Sequence, residues 1–158
     1  MKKRTRAREL ALQFLYQADL IKSGPNQIDD FLREEERVAE TRRFAQRLIV
    51  GTLEKKEEID AVIQAVAQNW TIARMAVVDR NVLRLATHEL LHCPDIPPKV
   101  AVNEAIEMGK RFSTQNSGAF INGILDRIMN RQKEAAKATE PEESDSAEKP
   151  QDDTAPRE

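Results

Sequence analysis

Residues 77–94 read VVDRNVLRLATHELLHCP, and the spacing inside this stretch decides the fold class. Val78, Val82, Leu85, Ala86 and Leu90 recur at helical intervals, and Pro94 ends the run because proline lacks the N–H that an interior turn donates. At about 100° per residue, Glu89 falls in the middle of that apolar stripe. Its carboxylate therefore points into a core, where it must be hydrogen-bonded and fastens helices together. The same periodicity continues in both directions. Leu10, Phe14, Leu15 and Ala18 mark a first helix over about 5–21. Ile28, Phe31 and Leu32 mark a short second one after Asn26. Phe44, Leu48, Ile49 and Leu53 give a third, and Ile59, Val62, Ile63 and Val66 a fourth that stops before Trp70. Pro97-Pro98 suits the first turn of a sixth helix carrying Val102, Ala105, Ile106 and Phe112, and Phe120, Ile124, Leu125 and Ile128 form a seventh. The expectation is an all-α bundle of about seven helices around one core, with no convincing strand and no internal repeat.

The chain has 158 residues and a formal net charge of −2, with 25 basic and 27 acidic residues. Residues 134–158 contain nine acids and three bases, so the −2 splits into a body at +4 and a tail at −6. The tail has no large apolar side chain to offset its ordering entropy, so residues 134–158 are expected to be disordered and 1–133 to form the folded domain. No apolar run approaches the roughly 18–20 residues a membrane span requires. A single cysteine, Cys93, excludes disulfide scaffolds and cysteine-based zinc folds and suits a reducing cytoplasm. Arg8, Glu9, Gln13 and Gln17 break up any signal-peptide core at the N-terminus, although a basic amphipathic start is also compatible with a transit peptide.

Lys2, Lys3, Arg4, Arg6 and Arg8 place five cations at the N-terminal end of the first helix, where the macrodipole is already positive. Their natural partner is a polyanion. With Tyr16, two turns beyond Arg8, they offer cations for phosphates beside an aromatic platform for a base, the arrangement that binds single-stranded nucleic acid. The competing readings are a solvated N-terminus with a core tyrosine, and a basic segment that meets an anionic membrane surface.

His88-Glu89-Leu90-Leu91-His92 matches H-E-x-x-H, which on a helix aims two imidazoles at one zinc with the Glu as base. The match spends both histidines of the chain and leaves only Glu104, Glu107 or Cys93 as a third ligand, while Glu89 faces inward. A zinc metallopeptidase is the alternative from another functional class. Phosphate-binding and nucleophile-elbow motifs are missing from the sequence. Asp79 suits the first turn of the fifth helix, Ser113, Asn116 and Ser117 can cap the seventh, and Trp70 reads as a core anchor.

Three stretches in series, RARELALQFLYQ from Arg6, VVDRNVLRLATHELL from Val77, and IPPKVAVNEAIEMGKRFS with SGAFINGILDRI between Ile96 and Ile128, resemble the NusB family of bacterial transcription antitermination factors. The resemblance implies two packed helical subdomains and no catalytic activity, metal or cofactor. It also implies binding to boxA-type RNA of ribosomal RNA transcripts in a heterodimer with ribosomal protein NusE, and entry into the antitermination complex on RNA polymerase. Arg4, Arg6, Arg8, Tyr16, Asp79 and Phe120 correspond to family RNA-contacting positions, and Asn116 and Ser117 lie in a stretch tied to RNA or NusE. A free homodimer is compatible with this reading, as is a role alongside a separate RNA cytosine methyltransferase. In the family the position of His88 usually holds tyrosine or another residue, where metal binding is not expected, and that of Gly109 often alanine.

Overall fold

The computed structural model describes residues 2–139, which form seven α-helices and two single 3-10 turns. Helix α1 spans Lys3–Ile21, α2 Ile28–Glu35 and α3 Ala39–Glu54. They are followed by α4 (Lys56–Val66), α5 (Val77–His92), α6 (Pro98–Phe112) and α7 (Ser117–Ala138). Lys22, at φ 59°, closes α1 in the left-handed conformation and donates its N–H to the Ala18 carbonyl, which turns the chain toward Pro25. Pro98 opens α6 at a position where its missing N–H costs nothing. Helices α1–α3 pack into one group and α4–α7 into another, and α5 is buried between them against α1, α3, α4, α6 and α7. The apolar residues that the periodicity selects, including Leu10, Phe14, Leu48, Ile63, Leu85 and Leu125, form a single continuous core.

The expected start of disorder at Glu134 requires correction, because α7 runs through it to Ala138. Residues 134–138 are exposed and bury nothing. Extending a helix already nucleated by packing fixes only one residue per added hydrogen bond, and Glu, Ala and Lys favour it. The expectation for 140–158 falls outside the described residues. Among the described residues no helix is long and apolar enough to cross a membrane.

A polar strap joins the two groups. Asp19 on α1 accepts from Arg80 Nε at 2.7 Å, Asn81 Nδ2 at 2.9 Å and Arg84 Nη1 at 3.1 Å, and Arg84 Nε also donates to Asp60 on α4 at 2.8 Å. Burial works against the Asp19 charge, but the hydrogen bonds of Arg80 and Asn81 and the charges of Arg80 and Arg84 outweigh it and hold the carboxyl at about 2. Unfolding returns it to 3.8. The unfolded chain thus takes up this proton first, and about 2 kcal/mol of stability, complete above pH 4, is lost as pH falls toward 2. Urea midpoints measured across that range should lose this limb in Asp19→Asn, and an unchanged limb would show that the strap does not hold the charge.

Candidate nucleic-acid interface

The five N-terminal cations do not form one free cluster. Arg8 is 2% exposed, and its guanidinium grips Glu89 through Nε at 3.0 and 3.1 Å and Nη2 at 2.8 Å, with Glu104 at 3.5 Å from Nη1. This corrects the expectation that Arg8 contacts RNA: it is the buried counter-ion of Glu89. Burial raises the Glu89 carboxyl against the pull of Arg8. Arg4 lies 4.2 Å from the Phe44 ring centroid, and Lys3 reaches Glu40 at 3.0 Å, so both fasten α1 to α3. Arg6 pairs with Glu36 at 3.3 Å yet stays about one-third exposed. Lys2 is exposed. These contacts account for cations at the wrong end of a helix dipole, since each of Lys3, Arg4, Arg6 and Arg8 has an acid or aromatic partner on another element.

At about 100° per residue, Glu9, Gln13, Tyr16 and Leu20 line one side of α1, with Arg6 and Arg8 each about 80° from Tyr16 on opposite flanks and Lys2 just outside the helix at its N-cap. Tyr16 is 40% exposed and Leu20 52%. Arg111 at the end of α6 pairs with Glu9, which brings the 113–116 turn beside this stripe. The Arg80–Asp19 pair does the same for the start of α5, where Asp79 has one carboxylate oxygen buried with no hydrogen-bond partner among the described residues. Lys2 and Tyr16 are thus exposed and Arg6 partly exposed along α1 and its N-cap, while the Arg80–Asp19 and Arg111–Glu9 pairs tie the start of α5 and the end of α6 to the same helix.

Asn116 is exposed at the N-cap of α7 without a side-chain cap. Ser117 is 2% exposed, and its hydroxyl accepts from the Thr114 N–H at 3.2 Å. That corrects its assignment to partner contact: the hydroxyl closes the turn internally. Phe120, one turn on, is half-buried edge-on to Trp70 at 6.3 Å between centroids. Trp70 is 53% exposed and anchors no core, against the sequence expectation. Gln64 holds it out: its Nε2 donates to the Trp70 carbonyl at 2.7 Å and its Oε1 accepts from Ile72 N–H at 3.0 Å. Sequence reasoning passed over Arg111 and misplaced Phe112, which periodicity puts on the apolar face of the sixth helix but which is exposed as the last residue of α6.

The H-E-x-x-H residues do not assemble a metal site. Glu89 is spent on Arg8, and among the described residues no third His, Cys, Asp or Glu converges with the two imidazoles. His92 Nε2 lies 3.3 Å from Glu58 but out of hydrogen-bond alignment.

A family model described as the NusB family matches residues 5–130. The transcription antitermination protein NusB of Desulforapulum autotrophicum is 46% identical over 128 residues, covering 79% of this chain and 90% of that protein. The chain belongs to the NusB family. A solved NusB from T. maritima is similar at TM-score 0.73 and 42% identity, covering 79% of this chain and 89% of that one. A chain in the crystal structure of antitermination factors NusB and NusE with dsRNA is similar at TM-score 0.75 and 27% identity, covering 83% and 98%. The NusB match ends within α7, so the acidic residues 140–158 lie beyond it.

Proposed function

We propose that this NusB-family chain is a non-enzymatic transcription antitermination factor that binds boxA-type RNA together with ribosomal protein NusE and joins the antitermination complex on RNA polymerase. The observation that carries the reading is the accessibility of Lys2, Arg6 and Tyr16 along α1 and its N-cap on a chain matched across residues 5–130 to this family. Lys2 and Arg6 neutralise phosphates, Tyr16 stacks a base, Asp79 and Asn116 contribute from the adjoining ends of α5 and α7, with Asn116 shared between RNA and NusE, and Phe120 contributes from the separate Trp70 groove. Lys3 and Arg4 act by fixing α1 on α3 and add field rather than direct contacts. A metallopeptidase is disfavoured by Glu89, whose carboxylate cannot serve as a base while buried on Arg8.

Fluorescence titration of a boxA-like single strand, a scrambled strand and a duplex, each with and without NusE, tests the reading. Tyr16→Ala should weaken boxA binding about tenfold, within the roughly 1–3 kcal/mol of one base stack. Replacing Lys2 and Arg6 with Ala should flatten the log-log salt slope by about 0.7 for each phosphate that is no longer neutralised. Equal affinity for boxA and scrambled strands would reduce the interaction to charge alone.

A further inference from the structure

Trp70 and Phe120 open a groove of about 810 Å³ that the α1 face does not include. Its far wall is α7, where Gly123 leaves open space and Arg127, Asn130, Arg131 and the single acid Glu134 reach the rim. Arg127 and Arg131 against Glu134 leave the groove wall net positive, and Lys133 and Lys137 add positive charge elsewhere on the exposed end of α7. Residues 140–158 follow directly, with eight acids and two bases among nineteen residues, and three prolines. From Thr139 back to Phe120 the distance along α7 is roughly 29 Å at 1.5 Å per residue. Nineteen extended residues reach roughly 60 Å, so the segment can double back along the groove.

From this charge complementarity and reach, we infer that the acidic segment 140–158 docks in cis along the Trp70–Phe120 groove, its carboxylates on Arg127 and Arg131. A segment held there places negative charge beside Phe120 and competes with RNA phosphates for the basic side of the molecule. The docking stands on the groove alone, and only its effect on RNA rests on the proposed function.

Trp70 is the one tryptophan of the chain, so its emission reports the groove directly. The full chain is compared with a full chain carrying E140Q, E142Q, E143Q and D145N, at low and high salt. Neutralisation should expose Trp70, moving its emission to longer wavelength at low salt, with the difference vanishing at high salt. A synthetic peptide of residues 140–158 added to the neutralised chain should move it back, and R131Q should weaken that return. Affinity for single-stranded RNA should rise several-fold on neutralisation at low salt. Identical Trp70 emission in the two chains overturns the docking even if RNA affinity rises, since the tail then acts only through net charge. Emission that answers to RNA or to protein concentration while ignoring the tail overturns it as well, assigning the groove to nucleic acid or a second copy. A Trp70 response to the tail in a chain that binds no RNA upholds the docking and sinks the proposed function instead.

Discussion

Glu89→Leu is expected to lower stability by about 3–5 kcal/mol, the range for removing one partner of a buried ion pair. The Arg8 guanidinium is 2% exposed and would keep a single acid in reach, the quarter-exposed Glu104 at 3.5 Å. Water cannot follow, so the charge would remain desolvated in the seam between α1 and α5. The cost lies in the orphaned charge rather than in the strength of the pair, because two well-packed apolar side chains substitute for such a pair at little net cost. Arg8→Met combined with Glu89→Leu should therefore recover most of the loss. Urea unfolding at neutral pH gives both numbers, and a single-variant cost under about 1 kcal/mol would mean that water reaches the guanidinium. The double variant also separates architecture from recognition. It removes a cation of the N-terminal cluster, yet its affinity for single-stranded RNA and its salt slope should match those of the parent chain.

The helix limits are legible because periodicity and proline speak about them directly. Pro94 stops α5 within two residues, Pro98 starts α6, and the inward face of Glu89 follows from counting around the helix. Arg8 is misplaced when charge density is read along the chain instead of around it. Arg8, Leu12 and Leu15 recur at i, i+4 and i+7, a buried-face pattern, and a carboxylate already placed in the core by the same geometry demands a cation. Those two facts together point to the Arg8–Glu89 pair. The roles of Lys3 and Arg4 depend on Glu40 and Phe44, which no local rule brings to α1. Trp70 and Ser117 escape placement for another reason: each sits at a turn, where one side chain's direction depends on a few backbone angles and partners such as Gln64 and Thr114. Legibility thus falls off where the periodic elements end, and most of the borders of the candidate interface are built there.

Stability should also fall by about 3 kcal/mol as pH drops from 6.5 to 4, through His88 alone. The His88 ring is 5% exposed and lies over Gly51 so closely that a Cβ there would sit 2.3 Å from it. Its Nδ1 is buried with no hydrogen-bond partner among the described residues, so a proton on that nitrogen would have no acceptor. Burial, reinforced by the charges of His92, Arg47 and Lys55, pushes the imidazole down from 6.5 to about 4. Because the depressed value belongs to the folded state, the unfolded chain binds the proton first as pH falls. The stabilising contribution is therefore whole above pH 6.5 and erodes below it, well before the Asp19 limb begins near pH 4. His88→Phe keeps a ring over Gly51 and removes the titration, so urea midpoints of that variant should stay level between pH 6.5 and 4 while the parent chain declines. A decline of the same size in both chains would assign that limb to other groups and leave the buried imidazole without a thermodynamic role.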